Sequence, residues 1–327
     1  MTAQHADVIS GLAFGVLERK GYLALTAEAG LGKTTALRAL SRLLQESNVL
    51  SSVIFAPRLT PSEFLEMALL NFGFQNIPAS KAQRLKMLDE FLANADAEGK
   101  ICSLIVDEAH ELSPDLLEEI RLLGNFESAE RKLLQIVLAG QNQLNDHLNL
   151  PQLWQLKQRI TLRLSLKPLD REAVEAYINF RWNHAGGSQP SPFTAATMEA
   201  VAAWSKGVPR LINVICDNAL LIAFSETDRT VDAETIRAAC EELSFPTPPI
   251  TRAPAHQGGR AVAPSPVAAS PPTPLAATKT PSPVDSDPSF NAWVAARPSL
   301  LRRWFGLTHS RAAATRSKTV ISLLKEP

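Results

Sequence analysis

The residues with the clearest chemical pattern form a short glycine-rich segment near the start of the 327-residue chain. Residues 26–35 read Thr-Ala-Glu-Ala-Gly-Leu-Gly-Lys-Thr-Thr, between a short apolar run and a helical pattern. Gly30 and Gly32 let backbone N–H groups turn towards phosphate oxygens, and the following helix N-terminus adds a positive field. Lys33 is placed to reach the β- and γ-phosphates of a nucleotide, and the Thr34 hydroxyl to bind Mg²⁺. The segment therefore predicts a phosphate-binding loop for ATP.

One position departs from the usual pattern of such a loop. The pattern G-x-x-x-x-G-K-[ST] begins with glycine, whereas this chain has Ala27. Alanine often fills that place, so nucleotide binding is still predicted; a strand–helix turn without a ligand is the alternative. The predicted nucleotide-binding residues are Ala27, Glu28, Ala29, Gly30, Leu31, Gly32, Lys33, Thr34 and Thr35.

Two adjacent carboxylates follow a continuous apolar run at 101–106. Such a run is typical of a parallel strand that is buried on both faces. Ligands bind at the carboxyl edge of open α/β sheets, where Asp107 and Glu108 would lie. We predict that Asp107 binds Mg²⁺ through water and that Glu108 polarises the attacking water. The alternative is an exposed acidic pair that opens a loop.

Polar residues near these carboxylates are candidates for supporting roles. His110 completes the letters Asp-Glu-Ala-His, but the chain has no other helicase motif, so we interpret it as a loop or supporting residue. Gln141 follows the apolar run 133–139, where a side chain could sense the γ-phosphate, and Asn142 is the alternative. Ordinary turn chemistry would also explain this pair.

Two arginines are candidates for contacts with nucleotide phosphates. Arg159 precedes the last strand and could reach the ATP of a neighbouring subunit as an arginine finger, or be an ordinary surface residue. Arg210 lies in the first turn of a helix, where a cation opposes the helix dipole by ~0.3–1 kcal/mol. A nearby anion would reverse that penalty, so we predict that Arg210 senses nucleotide phosphates. Pairing with an acidic side chain is the alternative.

Strands and helices alternate along the first half of the chain, as a parallel α/β sheet requires. The predicted strands are 22–25, 49–56, 101–106, 133–139 and 159–166, and the predicted helices are 7–19, 61–70, 80–97 and 114–125. The pattern then becomes all helical, at 170–184, 193–204, 208–225 and 232–243. We predict a P-loop NTPase α/β domain with helices on both faces of the sheet (1–167) and a small all-α lid (168–245).

Charge is unevenly distributed, although the formal net charge is zero. Residues 1–245 carry 23 Lys+Arg and 30 Asp+Glu, which is net −7. Residues 246–289 carry 3 and 2, net +1, and residues 290–327 carry 7 and 1, net +6. The acidic first part argues against a large nucleic-acid-binding surface there.

The cysteines and the N-terminus indicate a compartment. Cys102, Cys216 and Cys240 lack metal-binding spacing and lie in apolar patterns, so buried free thiols in a reducing cytoplasm are expected. No signal peptide or transmembrane helix is expected.

The C-terminal quarter has a different composition. Residues 246–289 hold 12 of the 23 prolines and no aromatic residue, which predicts a disordered linker. Residues 290–327 form a basic tail in which Trp304 and Phe305 share a helical face. The segment 298–307 predicts a weak contact with a membrane surface, with a disordered end or a docked helix as alternatives.

Five phrases together resemble the AAA+ ATPases of the general secretion pathway protein A (ExeA/GspA) type, over about residues 5–243. They are Ala-Gly-Leu-Gly-Lys-Thr-Thr, Val-Asp-Glu-Ala-His-Glu-Leu, Leu-Leu-Gln-Ile-Val-Leu-Ala-Gly-Gln, Leu-Lys-Gln-Arg-Ile and Gly-Val-Pro-Arg-Leu-Ile-Asn. The resemblance implies a cytoplasmic, Mg²⁺-dependent, homo-oligomeric ATPase that serves an envelope machine such as a secretion system or pilus. The basic tail adds the prediction of a peripheral position at the inner membrane. Compared with the family pattern, we expect three departures: a short N-terminal segment, no membrane helix or peptidoglycan-binding domain, and Ala27 in place of glycine.

Two other functions stay open at this level. Some relatives in the AAA+ superfamily act on DNA as transposition regulators or initiators, which would need a basic surface or an added DNA-binding motif. A nucleotide-binding scaffold that hydrolyses slowly is suggested by Ala27 and the short N-terminus. The leading prediction is an ATPase that assembles or remodels a partner complex.

Overall fold

A five-stranded parallel sheet forms the centre of the first part of the chain. The computed structural model describes residues 2–55, 59–128, 131–187, 191–225 and 230–246. The strands are β1 (Tyr22–Ala27), β2 (Val49–Ile54), β3 (Ile101–Val106), β4 (Leu134–Gly140) and β5 (Ile160–Leu166). They lie in the order β2-β3-β4-β1-β5, and every neighbouring pair is parallel. The predicted α/β sheet is confirmed, and its order places β4 directly between β1 and β3.

Helices cover both faces of this sheet. One face is covered by α1 (Ala3–Leu17) and α2 (Lys33–Glu46), and the other by α3 (Pro61–Asn71), α4 (Lys81–Ala97) and α5 (Pro114–Leu123). Successive residues of β1 serve opposite faces: Tyr22 and Ala24 pack in the core under α3–α5, whereas Leu23 and Leu25 pack under α1 and α2. Burial on both faces explains why the central strands are continuous apolar runs.

Polar residues at helix starts set several boundaries. The Thr60 hydroxyl accepts a hydrogen bond from the Glu63 amide, while the Glu63 carboxylate accepts one from the Thr60 amide, so α3 begins with a capping box. Helix α1 begins at Ala3, before the predicted residue 7, because the Thr2 hydroxyl accepts the His5 N–H and caps it. Apolar spacing misses this first turn, since its cap is polar.

Two short helices connect β4 to β5, and four longer ones follow the sheet. The short helices are α6 (Gln143–Leu148) and α7 (Trp154–Arg159), and the longer ones are α8 (Arg171–His184), α9 (Ala195–Ser205), α10 (Pro209–Ser225) and α11 (Ala233–Glu242). Helices α8–α11 share a hydrophobic core of their own, which includes Val174, Val201, Ile215 and Ile236. These four helices are called the helical lid below.

Several expectations can be compared with the described residues. Cys102, Cys216 and Cys240 are free and buried, as predicted. No described helix is both long enough and apolar enough to cross a membrane. The predicted linker, apart from Pro246, and the predicted tail with its membrane contact at 298–307 lie outside the described residues.

The segment that follows β5 is joined to the helical lid by a tight backbone contact at Gly207. The Leu169 amide donates a hydrogen bond to the Gly207 carbonyl over 2.8 Å. Gly207 has φ +75°, and a Cβ at this position would lie 2.0 Å from the Leu169 carbonyl oxygen. Glycine is therefore required for both its conformation and its close approach.

We expect Gly207→Ala to destabilise the protein more than Gly99→Ala. Gly99 also has a positive φ, of +71°, but nothing lies within 4 Å of the place that a Cβ on Gly99 would occupy. The left-handed conformation costs ~1–2 kcal/mol in each variant. The steric overlap at Gly207 adds a further ~1–3 kcal/mol. Urea unfolding followed by circular dichroism measures both losses, and equal losses would contradict the proposed close contact.

Candidate nucleotide-binding site

A cavity of about 710 Å³ opens at the carboxyl edge of the sheet, between the glycine-rich loop and the helical lid. Its volume lies in the range of ~300–1,000 Å³ that is usual for small-molecule sites. The cavity brings together most of the sequence-predicted residues: Glu28, Ala29, Gly30, Gly32, Lys33, Thr34, Thr35, Glu108, Gln141 and Arg210.

The glycine-rich loop is shaped by two glycines with positive φ. Gly30 has φ +83° and Gly32 has φ +94°. A Cβ on Gly30 would lie 2.9 Å from Arg210 Cβ, and a Cβ on Gly32 would lie 2.6 Å from His5 Nε2. The loop therefore needs glycine at both positions, because α1 and the helical lid press on it from two sides.

Two predicted nucleotide contacts, Ala27 and Leu31, do not line the cavity. Ala27 is the last residue of β1, pairs with Leu166 and is buried. It is not among the described non-glycine residues with positive φ, so a Cβ fits the extended strand and glycine is not needed here. Leu31 is also buried and packs in the core under α1 and α2, where it anchors the loop.

Lys33 is held between the two predicted carboxylates. Its Nζ lies 2.6 Å from Glu108 Oε2 and 3.1 Å from Asp107 Oδ1. The side chains of Lys33 and Asp107 are 7% and 3% exposed. A buried ammonium requires an anionic partner, so a phosphate group that takes Lys33 must replace these carboxylates.

Thr34 and Asp107 form a pair of hard oxygen donors. The Thr34 hydroxyl donates to Asp107 Oδ2 over 2.8 Å, and the other carboxylate oxygen accepts the Glu108 amide over 2.8 Å. Mg²⁺ is commonly bound by one or two such groups together with substrate phosphates and water. Within the described residues, no group of three His, Cys, Asp or Glu side chains could hold a metal alone. The pair therefore fits a Mg²⁺ ion that is shared with phosphate oxygens.

Glu108 has a backbone conformation that is uncommon for a residue with a side chain. Its φ is +52° and its ψ is +35°, in the left-handed region. Such residues cost of order 1–3 kcal/mol and are often found at functional sites. In this conformation Glu108 Oε2 lies 2.6 Å from Lys33 Nζ.

The candidate sensor residues are placed differently from one another. Gln141 lines the cavity, whereas the Asn142 amide donates to Glu28 on the loop over 3.4 Å. The Arg210 side chain lines the cavity and is exposed, and its backbone amide donates to the Gly30 carbonyl over 3.2 Å. Among the described residues, no carboxylate forms an ion pair with Arg210, so the alternative of an acidic partner has no support there.

Arg159 does not line this cavity. It lies before the first residue of β5, and its guanidinium donates to the Arg121 carbonyl over 3.1 Å and to Asn125 Oδ1 over 2.8 Å. Because a strand rises ~3.3 Å per residue, this end of the sheet is roughly 17 Å from the glycine-rich loop. A role in its own chain's cavity is thus excluded by distance, and the role towards a neighbouring subunit stays a prediction.

Several lining residues are not found by sequence reasoning. The N-terminal helix contributes Thr2 and His5, and the helical lid contributes Tyr177, Phe180, Arg181, Pro209 and Asn213. Their spacings of three or four residues place neighbours on one helical face. This spacing does not show which helical face meets a cavity, because the position of each face depends on how α1, α8 and α10 pack.

His5 connects α1 to the glycine-rich loop. Its Nε2 lies 2.9 Å from the Leu31 carbonyl, which can only accept, so the proton is on Nε2 and Nδ1 accepts from the Thr2 hydroxyl over 2.7 Å. Burial lowers the pKa of the His5 imidazole below its ordinary value of 6.5, an effect that the hydrogen bond to Leu31 partly opposes. The neutral ring therefore supports the loop.

Comparison with known proteins finds a matching family and a curated relative. Residues 16–148 match a family model described as an AAA domain. The chain is 40% identical over 249 residues to general secretion pathway protein A of Aeromonas hydrophila. That match covers 75% of this chain and 44% of the relative, so the chain spans less than half of the relative's length.

Solved structures with a similar fold include Cdc6p and ORC proteins. Cdc6p from Pyrobaculum aerophilum is 17% identical with a TM-score of 0.55, covering 73% of this chain and 65% of that one. Drosophila ORC bound to DNA is 19% identical with a TM-score of 0.56, covering 74% and 60%. ORC2 protein of Aeropyrum pernix, in ADPNP-ADP complexes, is 15% identical with a TM-score of 0.53, covering 72% and 66%. At these identities the likeness shows the fold alone.

We expect His5 to make the stability of the protein depend on pH. Because its folded-state pKa is lowered, the unfolded chain binds the proton more readily, and the contribution of His5 is complete above pH 6.5 and is lost as the pH falls through the folded pKa. The difference in unfolding free energy between the parent and His5→Gln should therefore shrink from about pH 8 to pH 5.

Urea unfolding at several pH values measures this difference. His184→Gln is the matched control, because the His184 ring is exposed and stacks on Phe180, with ring centroids 5.7 Å apart. A His5→Gln difference that stays the same from about pH 8 to pH 5 would contradict the expectation.

Proposed function

We propose that this chain is an AAA+ ATPase of the general secretion pathway protein A type, to which it is similar, and that it binds ATP in the 710 Å³ cavity and hydrolyses it. The observation that carries this proposal is the cluster at the carboxyl edge of the sheet. There Lys33 lies within 3.1 Å of both Asp107 and Glu108, and the Thr34 hydroxyl lies 2.8 Å from Asp107. A cation, two carboxylates and a hydroxyl at a glycine-rich loop are the groups that phosphoryl transfer to water requires.

Each of these residues has a separate task in the proposed reaction. Lys33 leaves the carboxylates and binds the β- and γ-phosphates. Thr34 and Asp107 would hold Mg²⁺, which supplies positive charge for the phosphate oxygens. Glu108, freed from Lys33, orients the attacking water and accepts its proton.

Residues from two other elements complete the proposed site. Gln141, at the end of β4, is positioned to sense the γ-phosphate beside Glu108. Arg210 comes from the helical lid and contributes a positive charge without a described acidic partner. Hydrolysis would therefore change the attraction between Arg210 of the helical lid and the nucleotide phosphates. We propose that ATP turnover moves the lid in this way.

The process that this motion serves is inferred from the relative. We propose that the chain forms a homo-oligomer and assembles or remodels a partner in an envelope secretion or pilus machine. The name of the Aeromonas protein supports the link to secretion. We place it in the cytoplasm, with a weak contact to the inner membrane through residues 298–307. The boundary between the ATPase domain and the helical lid is proposed at residues 167 and 168.

The alternative functions have less support from the described residues. The net charge of −7 over residues 1–245 does not favour a DNA-binding surface. Ala27 is one of two reasons to expect a slow scaffold, beside the short N-terminus, but it lies in β1, where alanine fits. ATPase measurements with and without duplex DNA separate these possibilities, since strong stimulation by DNA would favour the initiator-like alternative.

We expect Glu108→Gln to bind ATP but to hydrolyse it ~10²–10⁴ times more slowly, because a positioned base contributes about that factor. Lys33→Ala should lose binding, since it removes the cation for the phosphates. Binding of a fluorescent ATP analogue and phosphate release measure the two properties. Asp115→Asn, an exposed acidic residue in the first turn of α5, is the control and should behave like the parent. If both site variants also hydrolyse ATP like the parent, the site is wrongly assigned.

We expect Arg159→Ala to bind ATP normally and to lose hydrolysis by ~10³ or more if Arg159 acts on a neighbouring subunit. Mixing it with Lys33→Ala subunits should restore part of the activity, because each subunit supplies what the other lacks. Arg163→Ala is the control, since Arg163 lies in β5, directly after the helix that ends at Arg159, and donates to the Lys157 carbonyl. Failure to restore activity at every mixing ratio would rule out a shared site.

A further inference from the structure

His110 has no task in the reaction proposed above, yet its ring is buried beside the reacting groups. Only 8% of its side chain is exposed, in a short 3-10 helix at Ala109–Glu111 that follows Glu108 directly. This helix packs against the end of β4, where a Cβ on Gly140 would lie 3.1 Å from the His110 amide nitrogen. His110 is therefore fixed between the two strand ends that carry Glu108 and Gln141.

One ring nitrogen of His110 meets two groups with opposite requirements. The Gln141 backbone N–H points at His110 Nδ1 over 3.3 Å, and Glu108 Oε2 lies 3.3 Å from the same nitrogen. A ring nitrogen accepts a hydrogen bond only when it carries no proton and donates one only when it does. The two contacts therefore exclude each other. The other ring nitrogen is 3.8 Å from Glu111 Oε1, which is too long for a hydrogen bond.

The position of Lys33 determines whether His110 Nδ1 can bond to the Gln141 amide or to Glu108. Its Nζ is 2.6 Å from the same Glu108 oxygen that faces His110. While Lys33 stays there, Glu108 has a cationic donor, and His110 Nδ1 can accept from Gln141. Phosphate groups that draw Lys33 into the cavity remove that donor and leave Glu108 Oε2 with the His110 nitrogen 3.3 Å away.

We propose that His110 is a positioning residue that transfers its Nδ1 hydrogen bond from the Gln141 amide to the Glu108 carboxylate when nucleotide binds. The ring stays neutral: a proton leaves Nε2 and one is added at Nδ1 by exchange with water, so no net proton is taken up. The new Nδ1–H then donates to Glu108 and holds its carboxylate for the attacking water. At the same time the Gln141 N–H is released at the cavity edge. This inference rests on the proposed ATP site.

Three substitutions separate hydrogen bonding from packing at this position. Asparagine places its side-chain amide where histidine has Nδ1, glutamine extends towards the place of Nε2, and phenylalanine fills the ring volume without a donor or acceptor. We expect His110→Phe and His110→Gln to lower kcat by ~10–100-fold, as residues that orient a catalytic group commonly do. Dissociation constants for ATP should change less than about twofold, because the ring does not contact the phosphates. His110→Asn should recover most of the lost kcat.

The kinetic results decide the proposal as follows. A kcat of His110→Phe equal to that of the parent overturns it. A parallel loss of ATP affinity and kcat in all three variants also overturns it, because that result indicates a packing role alone. Recovery by asparagine and not by glutamine supports it. Circular dichroism shows whether each variant folds. If a variant does not fold, the ¹⁵N measurement on the parent chain tests the proposal instead.

Ring ¹⁵N signals of labelled histidine test the hydrogen-bond exchange without any turnover. The chain has six histidines, and the His110 signals are those missing from the spectrum of His110→Asn. In the parent chain we expect the Nε2–H form without nucleotide and the Nδ1–H form with Mg²⁺ and a non-hydrolysable ATP analogue. An unchanged form with the analogue bound overturns the proposal.

These readouts also separate the proposal from the proposed function. If the parent chain binds the analogue and the ring changes form but no phosphate is released, ATP hydrolysis is wrong and the exchange stands. If phosphate is released and the ring does not change, the exchange is wrong and hydrolysis stands. If the parent chain does not bind the analogue, both are wrong.

Discussion

A lysine ammonium held between two carboxylates is the interaction on which the rest of the site depends. An ammonium as buried as that of Lys33 must have an anionic partner, and without nucleotide that partner is the pair Asp107 and Glu108. The pairing is possible because only β4 separates β1 from β3, so the loops that follow them reach one edge of the sheet. Phosphates compete for the same cation. We therefore expect nucleotide binding to separate Lys33 from Asp107 and Glu108.

The shape of the site is shared by three parts of the chain. The glycine-rich loop lies between α1, through the contact of His5 with Gly32, and the helical lid, through the contact of Arg210 with Gly30. The lid contact includes a backbone hydrogen bond of 3.2 Å from Arg210 to Gly30. A change in the position of α10 must therefore be accommodated by the loop itself. This direct contact is the physical basis for linking the state of the nucleotide to the position of the lid.

Three features of the site depend on contacts that the sequence pattern does not contain. The loop pattern predicts Ala27 as its first residue, but the strand continues to it because its partner Leu166 extends the pairing of β1 with β5. The letters around His110 predict only a loop or supporting role, since they do not show that a ring nitrogen lies 3.3 Å from both Glu108 and the Gln141 amide. Thr2 and His5 escape prediction because Thr2 is the cap of α1 and His5 lies on the buried face with Ile9 and Leu12. Local spacing does not show that this end of the face meets the glycine-rich loop.

Local sequence specifies the elements of the sheet and the chemical groups at its edge. Apolar runs mark the buried strands, and the spacing of Gly30, Gly32 and Lys33 marks the phosphate-binding loop, because both depend on residues that are neighbours in the chain. The folded chain is needed to show which distant residues meet: the strand order, the placement of Tyr177 and Asn213 in the lid wall of the cavity, and the separation of Arg159 from it. These features depend on packing between elements, which local spacing does not encode.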